Sequence, residues 1–582
     1  MIELSVCHKY RDFEAIKYIY LQKKHTEMKR LTLILAAMLI SLAPMQSRNS
    51  LTVHNTRIPV IVDRPFNLLS EIRIDAAQGS ELEFIDLSIK GIDPEAVRNI
   101  KVMYTGTMSA MHSRTSSFIM KEKARDVAGG QTVWCDPSFA TESGMAGRFT
   151  EGETFRIACH KELYPGKNHF YISMEINGRK IKDLSREFLL EIKGIGIDGT
   201  IMKPGTDFKE DGWGDHHLGV NVRQSGDDGV HSYRIPGLAT SSKGTLLAIY
   251  DIRYNSSFDL QADIDIGLSR STDGGHSWEK MRVVMDMGEW AGLPQAQNGI
   301  GDPAILVDRN TGEIFIVALW TAGIGNDRAW LNVGQGMSPY ETGQLMMSSS
   351  KDDGRTWSEP RNITSMVKDP DWFITLQGPG KGITMEDGTL VFAFQHVDAQ
   401  RVPWAGMIYS RDHGRTWETH KICPAMETTE AQVVEIEPGT LMLNMRNNLR
   451  TGRRVFTTSD MGRSWQKHES DCMLTEPVCM ASLIKVKGEE NITGEDLLLF
   501  SNPATDKGRF NMTIKASLDG GRTWLENDSI LLDEESGWGY SCLSMIDRET
   551  VGILYESSTG HMTFQAVKLT DFIRTLRIKD NL

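Results

Sequence analysis

The sequence predicts an all-β protein in which a six-bladed β-propeller follows an N-terminal β-sandwich. The main observation is a short motif, Ser/Thr-x-Asp-x-Gly-x-Ser/Thr-Trp, which occurs five times in the C-terminal two-thirds of the chain. Its copies begin at Ser271, Ser350, Ser410, Thr458 and Ser517. Successive motif tryptophans are 79, 60, 48 and 59 residues apart, which is the size of one four-stranded sheet with its loops. Upstream, short stretches of alternating apolar residues predict the sandwich.

Residues 1–49 are predicted to be a leader that includes a signal peptide. Met28-Lys29-Arg30 is followed by an apolar run over residues 31–43, which is shorter than a membrane-spanning helix. The charged stretch before it does not resemble the start of a signal peptide, so Met28 is the expected natural start. We therefore expect an exported protein, periplasmic or extracellular, with no transmembrane anchor.

The composition is that of a large globular protein, with a net charge of −13 over 582 residues. This charge argues against nucleic acid as a partner, although a local cluster of arginines could still bind one small anion. Of the seven cysteines, Cys7 falls in the leader, and the other six are too few to form a disulfide scaffold. No metal or organic cofactor is expected, while disulfide pairing and structural calcium stay open.

The N-terminal module is assigned to residues 50–193. Stretches 58–62, 82–89 and 169–176 alternate in the way that is typical of half-buried strands, with Gly, Pro and Asn turns between them. The module could bind carbohydrate or act as a spacer. The Gly-rich, polar stretch 194–214 is expected to be a linker or an entry loop.

The remaining residues, 194–582, are assigned to the propeller. Each motif combines Asp and Ser side chains, which accept hydrogen bonds from nearby backbone N–H groups, with a Gly that permits positive φ. Each copy therefore predicts a tight turn between strands, anchored by its tryptophan. About 370 residues suffice for six blades. The sixth blade is expected to lack a motif, or to form by pairing early and late strands.

The motif resembles the Asp box of sialidases, also called the BNR repeat. Asp boxes stabilise blades far from any active site, so the chemistry is expected elsewhere. Tyr233-Arg234-Ile235-Pro236 resembles the Arg-Ile-Pro motif of the same enzymes. By this resemblance the chain is identified as a member of the bacterial exo-α-sialidases, or neuraminidases, of glycoside hydrolase family 33.

The resemblance implies that three arginines, Arg234, Arg446 and Arg509, bind the carboxylate of a sialic acid. A guanidinium suits this role because its planar fork donates two parallel, charge-assisted hydrogen bonds. Arg509 stands just upstream of the last Asp box. By contrast, Arg453 and Arg454 are expected to be exposed.

The resemblance also implies three catalytic residues. Asp259, on a loop after Arg234, would be the acid/base; Asp251, at a strand end, is the alternative. Tyr540 would be the nucleophile and Glu430 its base. Two other glutamates of the same strand, Glu435 and Glu437, are expected to be solvated.

Three further residues complete the implied site. Arg253 and Asp302 would lie near the 4-hydroxyl of the sugar, and Glu556 would orient Arg234. A neutral tyrosine nucleophile avoids the repulsion that a carboxylate nucleophile would meet from the carboxylate of the substrate.

The predicted function is therefore a retaining exo-α-sialidase that forms a tyrosyl-glycosyl intermediate on sialylated glycoproteins, glycolipids or oligosaccharides. One alternative is the same site with a transferred or anhydro product, decided by pocket residues such as Trp320, Trp330 and Trp404. Another is a sialic-acid-binding or purely structural propeller, which would not need the proton-transfer residues. The choice among α2,3, α2,6 and α2,8 linkages and the oligomeric state stay open.

Overall fold

The computed structural model describes residues 49–107, 149–206, 209–212, 215–260, 262–322, 333–524 and 529–573, together with residues 22 and 24. Most of the predicted leader, as well as Trp330, lies outside these residues. An α-helical turn, α1 (Thr364–Val367), and short 3₁₀ turns join some of the strands. The 3₁₀ turns are Pro94–Ala96, Gly178–Lys180, Asp227–Gly229, Gln295–Gln297, Gly488–Glu490 and Leu569–Ile573. Within the described ranges, no helix is both long and apolar enough to cross a bilayer.

The first eleven strands belong mainly to an N-terminal pair of sheets. They are β1 (Ser50–Asn55), β2 (Val60–Ile61), β3 (Leu68–Ala76), β4 (Glu81–Lys90), β5 (Val97–Tyr104), β6 (Phe155–Glu162), β7 (Gly166–Ile176), β8 (Glu187–Ile197), β9 (Thr200–Met202), β10 (Lys209–Gly212) and β11 (Asp215–Arg223). One sheet has the order β10-β1-β3-β7-β5, and the other contains β11-β8-β4-β6. Apolar side chains of both sheets, such as Ile72 and Leu190, lie in one shared core.

The stretch expected to be a linker forms strands instead. Strand β8 continues to Ile197, β9 pairs with β8, and β10 pairs in parallel with β1. The glycines here make room for neighbours: a Cβ on Gly196 would lie 2.3 Å from the ring of Phe84 on β4. In a sequence, a glycine that lets two strands approach closely cannot be told from a glycine that makes a linker flexible.

Six sheet units follow in the described residues, antiparallel apart from the parallel pairing of β21 with β16. Their strands are β12 (Ser232–Thr240), β13 (Leu246–Arg253), β14 (Ile264–Ser271), β15 (Arg282–Met285), β16 (Asn298–Val307), β17 (Ile314–Ala322), β18 (Gln344–Ser350), β19 (Arg361–Asn362), β20 (Thr375–Gln377), β21 (Gly380–Lys381), β22 (Ile383–Thr384), β23 (Leu390–Val397), β24 (Pro403–Ser410), β25 (Glu418–Thr419), β26 (Thr428–Glu437), β27 (Thr440–Asn447), β28 (Arg454–Thr458), β29 (Gln466–Lys467), β30 (Ser482–Val486), β31 (Leu497–Pro503), β32 (Met512–Ser517), β33 (Ile530–Asp533), β34 (Ser541–Met545), β35 (Thr550–Tyr555) and β36 (Met562–Lys568). The chain is thus all-β, as predicted.

The sixth unit is completed by an early strand. Strands β34, β35 and β36 form a meander, and β36 pairs antiparallel with β11, with Val220 opposite Phe564. First strands of neighbouring units are in contact: β12 contacts β16 and β34, and β30 contacts β26 and β34. Three of the predicted site residues, Arg234, Asp302 and Glu430, lie on these first strands, and Tyr540 directly precedes β34.

The Asp boxes form the turns at the ends of the third strands. In the second box, Asp352 Oδ1 accepts hydrogen bonds from the N–H groups of Arg355 (3.0 Å) and Thr356 (2.8 Å). Ser350 Oγ donates to the same oxygen (2.9 Å), and the indole N–H of Trp357 donates to the Gly354 carbonyl (3.2 Å). The other boxes repeat the Asp pattern, and their residues lie outside the cavity described below.

Both arginines that were expected to be exposed differ from that prediction. Arg454 is only partly exposed and pairs with Asp471 at 2.9 Å. Arg453 is fully buried, where it pairs with Glu476 at 3.0 Å and donates to the side chain of Asn444 at 2.7 Å. The expected exposure was wrong because these partners, distant along the chain, neutralise and hydrogen-bond the guanidinium. The described cysteines, Cys159, Cys423, Cys472, Cys479 and Cys542, are free thiols.

Candidate active site

A cavity of about 630 Å³ is lined by residues that lie in or beside all six sheet units. Its lining brings together most of the site residues that the sequence singled out: Arg234, Asp259, Asp302, Glu430, Arg446, Arg509 and Tyr540. Apolar side chains, among them Leu260, Leu319 and Leu376, form part of the wall. The cavity is therefore a polar, charged pocket with an apolar side.

The Tyr540 hydroxyl lies at the centre of a three-residue network. It donates a short hydrogen bond to Glu430 Oε1, and Arg446 Nη1 donates to it over 3.1 Å. The same Arg446 nitrogen lies 2.6 Å from Glu430 Oε2. Glu430 is thus positioned to take the phenolic proton, with Arg446 beside the oxygen that would become negative.

Tyr540 needs such a base. Its side chain is buried, and burial, together with the negative charge of Glu430, raises the pKa of the phenol well above its ordinary value. The phenol is therefore neutral at physiological pH. Deprotonation would have to accompany attack on an electrophile, with Glu430 as the acceptor.

Glu556 links the Arg234 segment to the Tyr540 segment through hydrogen bonds. Its Oε1 accepts from Arg234 Nε at 2.6 Å and from the backbone N–H of Ile235 at 3.0 Å. Its Oε2 accepts from the backbone N–H of Tyr540, also at 3.0 Å. The fully buried carboxylate therefore fixes Arg234 relative to Tyr540, which joins the first unit to the sixth.

Arg509 has a different set of partners. Its Nη1 and Nη2 donate to the carbonyls of Trp538 (2.8 Å) and Val478 (3.4 Å), and its side chain makes no carboxylate ion pair within the described residues. Gly539, with φ of 86°, lets the Tyr540 segment pass close by, since a Cβ there would lie 3.1 Å from Arg509 Cβ. The positive charge of Arg509 is thus left for a ligand.

Asp259 and Asp251 occupy contrasting environments. The side chain of Asp259 is 63% exposed, lines the cavity and accepts from Arg253 Nη1 at 2.9 Å. Asp251 is fully buried behind it, pairs with Arg253 at 2.8 Å and does not line the cavity. Of the two candidates, only Asp259 can reach a substrate. Arg253 was predicted to lie near a sugar hydroxyl, but it is buried, contacts Asp259 and is not among the residues that line the cavity.

Asp302 lines the cavity on the same side. Its backbone N–H donates to Asp251 Oδ1 at 2.9 Å, and its own φ is 55°. Burial raises the pKa of its carboxyl well above the ordinary value, and the charges of Asp251 and Asp259 add to this. This shift favours the protonated form of the carboxyl, which can donate a hydrogen bond to a hydroxyl group of a ligand.

Backbone bulges place several of these residues. The ladder shifts register between Arg234 and Gly237, between Gly301 and Ala304, and between Thr428 and Ala431. Bulges re-aim side chains and are frequent beside active sites. The sequence carries a local signal for the first two bulges, a proline inside the strand directly after Ile235 and directly after Asp302.

Other lining residues were not predicted. Gln395, Arg401, Thr429 and Asn448 all contribute to the wall, and no motif distinguishes them in the sequence. Conversely, Trp320 is buried in the core, with its indole N–H 3.1 Å from Asn298 Oδ1. Trp404 donates to Asp398 at 2.8 Å and does not line the cavity.

Comparisons with known proteins agree with this geometry. Residues 244–554 match the BNR repeat-like domain, and residues 48–199 match the N-terminal domain of BNR-repeat neuraminidase. The chain is 48% identical to a sialidase from Bacteroides fragilis over 538 residues, which is 92% of this chain and 98% of that one. It is 32% identical to a sialidase from Micromonospora viridifaciens over 58% of this chain and 51% of the relative.

A solved structure gives the same result. The chain superimposes on Hadza microbial sialidase Hz136 with a TM-score of 0.79 and 45% identity, over 89% of this chain and 99% of that one. These matches cover the N-terminal module as well as the sheets that carry the cavity. The chain belongs to the sialidase family and is a glycoside hydrolase of that kind.

Proposed function

We propose that the protein is a retaining exo-α-sialidase that works through a covalent tyrosyl-glycosyl intermediate. The observation that carries the proposal is the Tyr540 hydroxyl, hydrogen-bonded to both Glu430 and Arg446 on the wall of a cavity that also contains Arg234 and Arg509. A sialic acid bears a carboxylate on its anomeric carbon. Three guanidinium groups can bind that carboxylate through charge-assisted hydrogen bonds. A neutral nucleophile can approach the anomeric carbon without being repelled by the same negative charge.

In the first step, Tyr540 Oη attacks the anomeric carbon while Glu430 takes the phenolic proton. The glycosidic C–O bond breaks, and Asp259 gives its proton to the departing oxygen. Arg234, Arg446 and Arg509 hold the substrate carboxylate. Desolvation of the cavity strengthens these charge contacts in the transition state.

In the second step, Asp259, now ionised, takes a proton from a water molecule that attacks the anomeric carbon from the face the leaving group vacated. The bond from Tyr540 to carbon breaks, and Glu430 returns the proton to the phenol. Two inversions give net retention. Asp302 supports binding by donating to a hydroxyl of the sugar.

The same proposal covers architecture, substrates and location. The six units are the blades of one β-propeller, supported by the contacts between first strands and by the pairing of β11 with β36.

Terminal sialic acids of glycoproteins, glycolipids and oligosaccharides are the substrates. Export to the periplasm or the medium rests on the apolar run after Met28.

Time-resolved NMR of the protein with sialyllactose tests the mechanism. We expect α-N-acetylneuraminic acid to appear first and to convert to the β-anomer afterwards. A fluorinated sialic acid with fluorine at carbons 2 and 3 should label Tyr540, detectable by peptide mass spectrometry. Initial release of the β-anomer, or label on another residue, would refute the proposal. An anhydro product would show intramolecular transfer, and binding without turnover would show a lectin.

A further inference from the structure

Arg401 lines the active-site cavity from a position that the proposed mechanism does not use. It lies in the turn that joins β23 to β24, in the third sheet unit. The three arginines assigned to the substrate carboxylate come from the first, fourth and fifth units. Arg401 therefore adds a positive charge on a different part of the wall.

The turn that carries Arg401 is tightly held. Asp398 accepts from the backbone N–H groups of Gln400 and Val402, each at 2.9 Å, and from the indole N–H of Trp404 at 2.8 Å. The backbone N–H of Arg401 donates to the Asp398 carbonyl at 2.9 Å, and φ of Arg401 is 62°. The position of the Arg401 Cα is thus fixed by the loop itself.

The guanidinium is also oriented. Its central carbon lies 3.9 Å from the centroid of the Phe373 ring, and the Phe373 N–H is bonded to the Val397 carbonyl at 2.8 Å. Stacking on one face leaves the N–H groups at the edge of the plane free to bind a ligand. Within the described residues, this guanidinium makes no ion pair and donates no hydrogen bond.

The arginines of the cavity differ in what already offsets their charge. Arg234 and Arg446 are balanced by Glu556 and Glu430, whereas Arg509 has only carbonyl partners. One substrate carboxylate held by those three arginines satisfies that cluster. Arg401 is exposed at the cavity and has no such partner among the described residues.

We propose that Arg401 binds the carboxylate of a second sialic acid, which makes α2,8-linked disialyl and oligosialyl chains a preferred substrate class. In such a chain the sugar next to the scissile bond carries its own carboxylate, which is missing from the galactose of an α2,3-linked substrate. The inference rests on the proposed function, because it takes the cavity to be the sialidase site. Arg401 is a specificity residue here and takes no part in the chemistry.

The test compares kcat/KM for α2,8-linked disialic acid and for α2,3-sialyllactose in the full-length protein. We expect Arg401→Gln to lose about tenfold on disialic acid and less than about twofold on sialyllactose. Arg401→Lys should recover part of the loss. Arg463→Gln, an exposed arginine on an Asp-box turn, is the matched control and should change neither value.

Salt provides a second readout. Raising NaCl from about 20 to about 300 mM should reduce the wild-type preference for disialic acid and leave Arg401→Gln nearly unchanged, since screening acts on the charge contact. Equal losses on both substrates would overturn the inference, because they would show that Arg401 contacts the terminal sialic acid that both substrates share. Unchanged kinetics on both would also overturn it. A wild-type protein that cleaves neither substrate would instead refute the proposed function, and this inference with it.

Discussion

The arginines of the cavity differ in what neutralises them. Arg234 is held by the fully buried Glu556 and Arg446 by Glu430, while Arg509 rests on two backbone carbonyls. A guanidinium that is held by a carboxylate is preorganised, but the negative charge of the carboxylate partly offsets its positive charge. A guanidinium that is held by neutral carbonyl groups keeps its net positive charge. The cavity thus combines two arginines held by carboxylates with one whose charge no carboxylate offsets among the described residues.

Substitution of Tyr540 and Arg446 should separate chemistry from binding. Under the proposed mechanism, Tyr540→Phe removes the nucleophilic oxygen and keeps the arginines, so we expect kcat to fall by at least about a hundredfold with sialic acid still bound. Arg446→Ala should mainly weaken binding of sialic acid. Steady-state kinetics and calorimetric titration measure the two effects. Near-normal kinetics in both variants would contradict the assignment.

Asp259 should show its role through the leaving group. Asp259→Asn cannot donate the proton that an ordinary sugar alcohol needs, so we expect a loss of about a hundredfold or more on sialyllactose. An aryl sialoside with an acidic phenol needs no proton, and its first step should be impaired far less. Burst kinetics on a series of aryl sialosides measure this. Equal impairment along the series would indicate a different acid.

At the scale of a sheet element, we expect the Asp boxes to contribute to the stability of the fold and not to the active site. Asp352 accepts three hydrogen bonds from its own turn besides that of the Thr356 hydroxyl, and it lies outside the cavity. Hydrogen bonds to a charged group contribute about 1.5–3 kcal/mol each in favourable cases, and less where they face solvent. The boxes therefore stabilise the turns after the third strands of five of the six sheet units.

Asp352→Ala tests that separation. We expect the free energy of unfolding to fall by about 1–3 kcal/mol with kcat/KM unchanged at low temperature. Arg355→Ala, at an exposed position of the same turn, is the control and should change neither quantity. Urea titration and sialyllactose kinetics are the measurements. A variant with normal stability and reduced kcat/KM would show that the box acts on the site.

A buried carboxyl on β14 should make stability depend on pH. Burial raises the pKa of Asp265 to about 7, and the negative charges of Asp286 and Asp263 add to this despite a 2.8 Å bond from the Tyr254 hydroxyl. The folded protein thus binds this proton more tightly than the unfolded chain does, whose ordinary pKa is 3.8. The stabilisation from protonation is full below about pH 4 and is lost as pH rises to about 7.

Asp265→Asn imitates the protonated form at every pH. We expect it to match wild type near pH 4 and to exceed it by a few kcal/mol above pH 7, since one pKa unit is about 1.4 kcal/mol. Thermal unfolding midpoints of both proteins between pH 4 and pH 8 measure the difference. A difference that stays constant across that range would contradict the pKa argument.

Several elements were predictable because their signals are local. The Asp boxes and the all-β class follow from turn chemistry and alternation within a few residues, and the sialidase family is confirmed by the comparisons. The burial of Arg453 depended on Glu476, and the strands over 194–212 depended on Phe84 and β1. Such partners are set by the tertiary fold. Arg401 was missed for the same reason, because a lone exposed arginine in a turn carries no pattern.

At the scale of the whole molecule, the N-terminal sheets and the catalytic sheets share one hydrophobic core. The same cluster contains Ile72 and Leu190 of the N-terminal sheets and Tyr250 and Phe564 of the catalytic ones. Strand β11 also pairs with β8 on one side and with β36 on the other. Two modules joined by a flexible linker would have separate cores. Here the two parts are structurally continuous.

This continuity predicts that both parts unfold together. Leu190→Ala removes a fully buried side chain of β8, far along the chain from the catalytic residues, at a cost of about 2–5 kcal/mol. We expect one calorimetric transition in wild type and variant, shifted down in the variant, with loss of sialidase activity at the same lowered temperature. Ile201→Ala, at a side chain that is 48% exposed, should shift neither. Two transitions, with activity surviving the first, would show that the shared core and strand β11 do not couple the N-terminal sheets to the active site.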